Sequence, residues 1–502
     1  MTITEAPSYR RAASVGAGYG AVVAGGMVWT GLMILVSKAA SFVAQLALGW
    51  LLVKADFALY ATAASLGVWL TALKDGAAGS YLIQQGHRFE QLAGAAFQFG
   101  LLMNVVAALG LIAAAPFAAY HLDRPQLTPL VWCMAFATIL ASPVMVYRAK
   151  LMIDLRFSTE ARIGSLSAII RYSLMIALAA WGFGALSFVV PLVLVAIYEW
   201  SMYRWTVGKV RLWEPPDWHK MRELGRACRW LMLATLAVAL IGNGDYIVLS
   251  VLAPSVLADY YFGFQLTVGI SAVVTSGVKA VLMPAFSRLA DSPERQARGF
   301  ARSIGMLSLL AAPVCTLTAV VAPLLVDAAW QGKWNEAIPV IQVMALSLYP
   351  RLFQPVSGAV LEARGKWRLR SMLLVADGLG IMGATAVGAT IGGIRVIAAI
   401  VASYRVITGF LYCWISAREL GIPASAVVRH IMPSLVISGV SGLLAHLVVG
   451  EADRLIEVVL VAAKVGAVFG GSWLILTFAF NRSRLKEVLS LIQDRGARVA
   501  AG

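Results

Sequence analysis

Charged residues are scarce in this chain. They make up 13% of its 502 residues, whereas 60% are hydrophobic and the mean hydropathy is +0.80. So little charge excludes an ordinary soluble domain and places the chain among proteins that cross a membrane many times. A net charge of +16 would fit a nucleic-acid-binding protein. However, the basic residues are spread over many loops and form no compact patch, which excludes nucleic acid as a partner.

Motifs for catalysis and metal binding are also missing. The cysteines lie in or at the ends of apolar segments and include no CxxC pair, which excludes a disulfide framework and a zinc site: Cys133, Cys228, Cys315 and Cys413. The five histidines are scattered without an HExxH, and no GxxxxGK[ST] loop is present. We therefore expect a protein that is not an enzyme, does not hydrolyse ATP by itself and needs neither a metal nor another cofactor.

Long hydrophobic runs are what the sequence has in abundance. Fourteen apolar segments of about 20 residues can be marked, each long enough to cross a hydrocarbon core of about 30 Å. Because every backbone polar group must be satisfied within lipid, each segment is predicted to be a helix. The predicted spans are 27–51, 56–73, 92–115, 127–147, 160–181, 183–205, 228–252, 256–282, 303–325, 336–360, 371–391, 394–416, 427–449 and 455–480.

The loops between these spans give an independent test of the topology. One set of alternate loops, together with both tails, holds 30 of the 41 basic residues. The opposite set holds only five: Lys54, Arg124, Lys333, Arg395 and Arg454. Because cytoplasmic loops are rich in lysine and arginine, both termini are predicted to be cytoplasmic, with an even number of crossings. Arg10-Arg11 precedes an apolar region too long for a secretory leader, so we interpret it as a cytoplasmic anchor.

Internal repetition divides the chain into two halves. Ala55-Asp56-Phe57 matches Ala258-Asp259-Tyr260, both at the entry to the second span of a half. Likewise, 151–156 with Arg162 matches 359–364 with Arg370. Six predicted helices separate the copies, and an even number preserves direction, so the repeats are parallel. The sequence therefore predicts an all-α polytopic membrane protein with two six-helix lobes and two additional helices at the C-terminal end.

The predicted boundary between the lobes is a cytoplasmic linker. It contains Trp213-Glu214-Pro215-Pro216-Asp217-Trp218, in which the proline pair breaks helix and the tryptophans suit a membrane interface. A surface linker is the plain interpretation, and a loop that docks a partner is the alternative. The predicted division is 1–210 for the N-terminal lobe, 211–227 for the linker, 228–418 for the C-terminal lobe and 419–502 for the last two helices with the tail.

Several ionisable side chains fall inside the predicted spans. A lysine or arginine at the centre of a membrane costs about 2.5–3.5 kcal/mol on insertion scales, so each needs a reason. The basic ones are Lys38, Arg171, Arg351 and Arg405, with Lys279 closer to a span end. The acidic ones are Asp245, Glu199 and Asp377. Lys464 lies in the last span, where helix packing or lipid contact explains it as well as a function does.

Two interpretations compete for these residues. The plain one is that a side chain reaches water from within about two turns of an interface, and it suits Lys279, Glu199 and Asp377. Three cations lie too deep for that, so we predict that they face a water-filled cavity: Lys38, Arg171 and Arg405. Arg351 lies between the two cases, and Arg351 and Lys279 complete the five candidates for a substrate-binding cationic cavity. A basic cavity attracts an anion, and arginine suits bidentate binding of phosphate oxygens. Asp245 is a candidate partner for one of the cations across the two halves.

The pattern resembles a known family. Fourteen helices, two parallel halves and the segments Asp56-Phe57-Ala58-Leu59-Tyr60 and 74–84 (KDGAAGSYLIQ) are similar to the polysaccharide-transporter branch of the multidrug/oligosaccharidyl-lipid/polysaccharide flippase superfamily. The resemblance covers essentially the whole chain through loose motifs. One departure is Lys74-Asp75-Gly76, where many relatives have a less charged turn, and the sequence assigns it no role.

The resemblance implies a function. Members of this family move lipid-linked oligosaccharides across the bacterial inner membrane, so the implied substrate is an undecaprenyl-diphosphate-linked repeat unit for a surface polysaccharide. Alternating access by rocking of the two halves is the implied mechanism, with Asp245, Glu199 and Asp377 as candidates for ion coupling or gating. The implied partners are membrane lipids, a polysaccharide polymerase and glycosyltransferases.

Three alternatives remain open at this stage. A cation-coupled multidrug antiporter of the same superfamily needs an intramembrane acid in its central cavity, whereas the first span offers Lys38. A flippase for the peptidoglycan lipid precursor would also have a basic cavity. A membrane scaffold without transport activity, within a polysaccharide-synthesis complex, is the third.

Overall fold

The computed structural model describes residues 16–269, 292–449 and 455–481, and within these ranges the chain is helical and contains no β-strand. The first group of helices is α1 (Gly16–Leu51), α2 (Lys54–Leu66), α3 (Val68–Leu73), α4 (Ala78–Gln84), α5 (Phe89–His121), α6 (Leu127–Leu140), α7 (Ser142–Ile153), α8 (Phe157–Ala180) and α9 (Leu186–Val207). The second group is α10 (Trp218–Leu252), α11 (Pro293–Trp330), α12 (Ile338–Arg351), α13 (Gln354–Ala363), α14 (Trp367–Ile391), α15 (Ile394–Glu419), α16 (Ala424–His446) and α17 (Leu455–Phe480). Residues 257–269 are also helical.

The polytopic all-α fold predicted from the sequence is confirmed. Ten of the described helices are long and apolar enough to cross a membrane, and the pair α6 and α7, bent by 43°, brings the number to 11. Large apolar side chains are exposed along these helices, among them Phe117, Ile391 and Leu443. Such surfaces are costly in water and suit contact with lipid tails.

Three of the fourteen predicted spans are broken rather than continuous. Span 56–73 corresponds to α2 and α3, span 127–147 to α6 and α7, and span 336–360 to α12 and α13. Hydropathy averages over a window and therefore does not detect a break within an apolar run. Much of span 256–282 lies outside the described residues, so the total of fourteen stays a prediction.

The chain forms two compact units. The first comprises the described residues before Gln45 together with Trp69–Leu236, and its core includes Phe89, Phe97 and Tyr147. The second comprises Gln45–Val68 together with the described residues from Ala237 onward, and its core includes Phe300 and Phe353. The end of α1 and the whole of α2 thus belong to the second unit, and the chain is part of the first unit again from Trp69. The predicted lobe boundaries at 210 and 227 do not include this assignment of 45–68 to the second unit, and they stay a prediction.

The linker before α10 packs on α5 within the first unit. The side-chain amide of Gln98 on α5 donates to the Glu214 carbonyl (2.6 Å), and the Trp213 ring meets Phe97 edge-on at 5.2 Å. Asp217 then begins α10, because its carboxylate accepts hydrogen bonds from the backbone N–H groups of His219 (3.1 Å) and Lys220 (3.2 Å). The Lys220 backbone hydrogen bond is the main reason that the pKa of Asp217 lies below its ordinary value.

Candidate functional site

Two glycines let α10 and α14 approach closely in the second unit. A Cβ on Gly378 would lie 3.1 Å from Leu240 Cβ, and one on Gly244 would lie 2.8 Å from Met382 Cγ. Small residues at a helix crossing allow the backbones to come together in a membrane protein. Each glycine has an aspartate beside it in the sequence. Asp245 follows Gly244 on α10, and Asp377 precedes Gly378 on α14. The crossing therefore holds two carboxyl groups deep in the unit.

Asp245 forms a buried ion pair with Arg405 on α15. Arg405 Nη2 lies 3.3 Å from Asp245 Oδ2, and the two side chains are 3% and 0% exposed. The hydroxyl of Tyr260 donates to the same carboxylate oxygen at 3.0 Å. The Arg405 guanidinium also lies 4.6 Å from the centre of the Phe264 ring, a cation–π contact. These groups hold the pair in one geometry.

Asp377 forms a second pair with Arg351 at the end of α12. Arg351 Nη2 lies 3.5 Å from Asp377 Oδ2, and Gln354 Nε2 donates to that oxygen at 3.2 Å. Gly409 explains how the pairs come together. A Cβ there would lie 2.6 Å from the carbonyl carbon of Pro350, so α15 touches the backbone next to Arg351. Gly409 is one turn beyond Arg405, which brings the two arginines into the same region.

The two pairs leave several buried polar atoms without a hydrogen-bond partner among the described residues. They are Arg405 Nε, Arg351 Nη1, Asp377 Oδ1 and the hydroxyls of Tyr246 and Tyr412. An unsatisfied buried group costs about 1–3 kcal/mol and calls for an explanation, such as a strained or functional site. We name Asp245, Arg405, Asp377 and Arg351 the paired cluster.

The paired cluster corrects the sequence interpretation in one respect. Asp245 was expected as a partner for a cation across the two halves, but its partner Arg405 belongs to the same unit. Charge is also balanced here, because two arginines face two aspartates. Arg405 and Arg351 are therefore occupied by carboxylates in this conformation, and neither offers an unpaired positive charge to an anion.

Lys38 and Arg171 are the deep cations of the first unit. A Cβ on Gly26 would meet Phe157 at 2.4 Å, and a Cβ on Gly164 would meet Met33 Sδ at 2.6 Å. Both contacts join residues 131 positions apart (157 − 26 and 164 − 33), so α1 and α8 run side by side in the same direction. In that register Lys38 lies level with 169, two residues from Arg171. At 1.5 Å per residue the two cations differ in depth by about 3 Å.

These two cations have no acidic partner. Within the described part of the chain, no carboxylate forms a salt bridge with Lys38 or Arg171, and Arg171 Nε is buried without a hydrogen-bond partner. The Arg171 guanidinium lies 5.6 Å from the ring centre of its neighbour Tyr172. Both residues are half-buried. They are the deep positive charges of the described chain that remain available to an anionic ligand.

The remaining predicted residues have other surroundings. Glu199 on α9 accepts a hydrogen bond from the Ser167 hydroxyl on α8. Lys279 lies outside the described residues. Lys464 is exposed on α17, as expected for a lysine that reaches the lipid surface. In the part of the chain that the structure describes, no group of three or more His, Cys, Asp or Glu is arranged to hold a metal ion.

The first unit also contains a buried carboxylate network, which the sequence analysis did not predict. Glu160 is 2% exposed and pairs with Arg148 Nε at 2.6 Å. Its other oxygen accepts from the Tyr203 hydroxyl, also at 2.6 Å. Glu160 was overlooked because it lies at the start of a predicted span, where a charge needs no special reason.

The Lys74-Asp75-Gly76 departure also has a structural explanation. Asp75, Gly76 and Ala77 have φ values of 55°, 54° and 57°, a left-handed stretch that ends one helix and starts another. Asn104 clamps it: its Oδ1 accepts from the Asp75 N–H and its Nδ2 donates to the Asp75 carboxylate, both at 2.9 Å. Gly76 is required because a Cβ would lie 2.4 Å from Phe99. In the sequence, the only indication of this helix break is the aspartate–glycine pair Asp75-Gly76 within an apolar run.

The end of α1 is held by a lysine. Lys333 Nζ donates to the carbonyls of Gly49 (2.8 Å) and Leu52 (2.5 Å), which are among the groups that a helix end leaves unsatisfied. Nearby, Lys54 pairs with Asp259 at 2.7 Å. All these residues belong to the second unit. A cation at a helix C-terminus also complements the helix dipole.

Comparisons with known proteins agree with this fold. The sequence profile of a family described as "polysaccharide biosynthesis protein" matches residues 47–339, more than half of the chain. The teichuronic acid biosynthesis protein TuaB of Bacillus subtilis is 23% identical over 380 residues, which are 73% of this chain and 76% of TuaB.

Solved structures show the same architecture. The lipid II flippase MurJ, in an inward closed conformation, aligns with a TM-score of 0.69 at 11% identity, over 91% of this chain and 100% of that one. An inward-facing multidrug resistance MATE transporter of the MOP superfamily aligns with a TM-score of 0.57 at 13% identity, over 80% and 96%. At such low identity these likenesses show the fold alone.

Proposed function

Because this chain belongs to the polysaccharide biosynthesis protein family, we propose that it is a flippase for undecaprenyl-diphosphate-linked oligosaccharide repeat units. It moves them from the cytoplasmic to the outer face of the bacterial inner membrane by alternating access, with both of its own termini in the cytoplasm. The likeness to TuaB, which is named for teichuronic acid biosynthesis, supports a surface polysaccharide as the final product.

The observation that supports this substrate most strongly is the pair of available cations in the first unit. Lys38 and Arg171 lie within about 3 Å of the same depth on neighbouring helices. Each would cost about 2.5–3.5 kcal/mol in a membrane without a partner. A diphosphate offers several oxygens and two negative charges, so it satisfies both residues at once, the arginine through two parallel hydrogen bonds.

The paired cluster has a different role in this proposal. Protonation of Asp245 or Asp377 removes the charge that holds Arg405 or Arg351, so these pairs couple proton or ion movement to a change of conformation. Removing the partner of a buried charge costs several kcal/mol, which is enough to shift a conformational equilibrium. Glu199, held by Ser167, is a third acid for this role in the first unit.

The proposal also names partners. A polymerase and glycosyltransferases that act on the same lipid-linked repeat unit before or after it crosses the membrane are the proposed partners. The substrate's hydrocarbon tail stays in membrane lipid, since burying it in protein would gain nothing over lipid.

The test in cells uses a strain that lacks this protein, complemented with Lys38→Ala or Arg171→Ala. We expect loss of surface polysaccharide and accumulation of lipid-linked repeat units, with normal amounts of protein in the membrane. Lys464→Ala is the matched control, because it removes an intramembrane lysine that is exposed on α17. We expect normal polymer with this control.

Two outcomes would contradict the proposal. Normal polymer in both Lys38→Ala and Arg171→Ala would remove these residues from substrate binding. Intact surface polysaccharide in the deletion strain, combined with drug sensitivity, would favour a multidrug antiporter. Accumulation of peptidoglycan precursor instead of the polysaccharide repeat unit would favour a peptidoglycan lipid-precursor flippase.

A further inference from the structure

A column of polar side chains leads from Asp377 along α13 to the end of that helix. Gln354, Gly358 and Glu362 follow one another at intervals of four residues, which places them on one face of α13. Gln354 Nε2 donates to Asp377 Oδ2 at 3.2 Å, and Glu362 forms an ion pair with Arg370 near the start of α14. A Cβ on Gly358 would lie 3.2 Å from Arg370 Nε, so the arginine side chain crosses the same face. This face therefore connects the deep aspartate with the Glu362–Arg370 pair, which we name the mouth of the column.

Tyr412 on α15 forms another wall of the column. Because the charges of both Asp377 and Arg370 act on the Tyr412 hydroxyl, that hydroxyl lies within reach of the two ends. One turn further along α15, the Ser416 hydroxyl donates to the Ser357 carbonyl at 3.2 Å and fixes α15 against α13. The column is thus enclosed by α13, α14 and α15, all of which belong to the second unit.

Three side chains along the column have a buried polar atom without a hydrogen-bond partner among the described residues. These atoms are Asp377 Oδ1 and the hydroxyl oxygens of Tyr412 and Ser357. The three residues are 2%, 3% and 0% exposed. Buried polar groups of this kind are usually satisfied by internal water. A hydroxyl or a carboxyl group can both accept and donate a proton, whereas a guanidinium only donates, so the three groups are of the kinds that relay protons.

The column is short enough for such a relay. Along α14, which begins at Trp367, Arg370 lies about 5 Å and Asp377 about 15 Å from the start of the helix. The segment 364–370 carries four basic residues, which predicts that this end is cytoplasmic. The side chains of Arg370 and Glu362 are 29% and 11% exposed, so water reaches the mouth. The remaining distance of about 10 Å is the length of about three or four O–H···O hydrogen bonds.

The first unit has a different arrangement at the matching positions of the sequence repeat. Asp154 and Arg162 stand there in place of the acid and the arginine of the mouth. Asp154 pairs instead with Lys150 at 3.6 Å, and the Arg162 guanidinium lies 5.4 Å from the centre of a tryptophan ring. The position that matches Asp377 is Ile169. The paired mouth therefore occurs in the half that has a deep carboxylate for it to serve.

We propose that this column is a hydrated path through which protons from the cytoplasm reach Asp377, an inference that rests on the coupling role given to this residue under the proposed function. A proton enters at Glu362, passes along water held by the Tyr412 and Ser357 hydroxyls, and forms an O–H bond at Asp377 Oδ1. The net change is one proton taken from the cytoplasm and one carboxylate neutralised. The charged and titratable groups that face Asp377 from other helices are Arg351, Tyr404, Tyr412 and, through Arg351, the Asp245–Arg405 pair.

The first experiment is hydroxyl-radical footprinting of the full-length protein in lipid nanodiscs. X-rays split water, the radicals oxidise the side chains that the water touches, and peptide mass spectrometry gives an oxidation rate for each tyrosine. Tyr349 on α12 is the matched internal control, because Tyr349 and Tyr412 are both 3% exposed but the Tyr349 hydroxyl is hydrogen-bonded to Ser308 at 2.6 Å. We expect Tyr412 to be oxidised at least about fivefold faster than Tyr349, since internal water contacts its hydroxyl.

A variant of the mouth tests where this water enters. Glu362→Leu with Arg370→Met replaces both charges by apolar side chains of similar volume, a change that often leaves stability intact. We expect the oxidation rate of Tyr412 to fall to that of Tyr349. The matched control is Lys366→Met with Glu419→Leu, which removes another ion pair (3.5 Å) at the same helix ends and should leave Tyr412 oxidation unchanged. The melting temperature establishes that both variants are folded.

The role in proton movement is tested with Tyr412→Phe, which removes only the hydroxyl. Because this hydroxyl has no hydrogen-bond partner within the described chain, a merely structural role predicts no loss of stability and no change in transport. We expect translocation driven by a pH gradient in proteoliposomes to be at least about fivefold slower than in the wild type, with an unchanged melting temperature.

Each result bears on one part of the proposal. Equal oxidation of Tyr412 and Tyr349 in the wild type, or Tyr412 oxidation that the mouth variant leaves unchanged, would overturn the cytoplasmic path whether or not the protein transports a substrate. Gradient-driven translocation by Tyr412→Phe at the wild-type rate would overturn the proton relay. The expected oxidation pattern in a wild type that translocates no lipid-linked substrate would support the path and refute the proposed function.

Discussion

Removing Arg405 should destabilise the protein far more than removing Arg405 and the charge of Asp245 together. The side chains are 3% and 0% exposed, so little solvent is available to either charge after its partner is lost. Breaking a buried pair by removing one partner costs about 3–5 kcal/mol, whereas replacing both charges is often close to neutral. We therefore expect Arg405→Gln to cost about 3–5 kcal/mol and Asp245→Asn with Arg405→Gln to recover most of that loss.

The measurement is a double-mutant cycle on the purified protein, with unfolding followed by intrinsic fluorescence in detergent. Asp245→Asn is the second single variant, and its remaining hydrogen bond from Tyr260 should make it milder than Arg405→Gln. The expected coupling energy between the two positions is above about 2 kcal/mol. Strict additivity of the two single variants would refute the argument that these residues act as a buried pair.

Three further predictions follow from contacts outside that pair. Gly409→Ala should cost about 1–3 kcal/mol and slow transport, because the new Cβ meets the Pro350 backbone at 2.6 Å. The control Gly439→Ala, with open space around it inside α16, should leave the stability unchanged or raise it by up to about 1 kcal/mol in the same thermal unfolding assay. Lys333→Met should cost about 1–3 kcal/mol by freeing carbonyls at the end of α1, and an unchanged melting temperature would argue against a capping role. Asn104→Ala should cost about 1–3 kcal/mol and increase proteolysis near Asp75, because it removes two hydrogen bonds to that residue. Hydrogen exchange can localise the change, and unaltered protection of the backbone near Asp75 would contradict this role of Asn104.

The sequence predicted the helices and the buried charged residues of this membrane protein better than it predicted which residues pair with each other. Hydropathy and the distribution of lysine and arginine were enough for an all-α polytopic fold, since lipid leaves the backbone few other options. The rarity of charge inside spans drew attention to Lys38, Asp245 and Arg405. These inferences depend on local composition, which a single sequence displays directly.

The pairings depend on which helices touch and at what depth. Asp245 and Arg405 are 160 residues apart, and they meet because Gly244, Gly378 and Gly409 permit close crossings. No periodicity in the sequence states which glycine faces which helix. The parallel register of α1 and α8, which sets Lys38 beside Arg171, is likewise a property of packing.

Breaks within apolar runs were the second feature that the sequence did not predict. The run 56–73 looks continuous by hydropathy, but the structure separates α2 from α3, and the backbone then turns left-handed at Asp75. The left-handed stretch after α3 needs side chains elsewhere to satisfy its backbone groups, and Asn104, 29 residues away, accepts a hydrogen bond from the Asp75 N–H. Such compensation is visible only after folding.

The central claim is that Lys38 and Arg171 bind the diphosphate of a lipid-linked substrate, and translocation in proteoliposomes tests it most directly. The assay follows a fluorescently labelled polyprenyl-diphosphate sugar and measures the fraction that becomes protected from an external quencher. Wild type and Lys464→Ala should translocate it at similar rates, and Lys38→Ala with Arg171→Ala should be at least about tenfold slower, as expected for two lost charge-assisted contacts. A double variant as fast as the wild type, with the protein folded and inserted, would contradict the account.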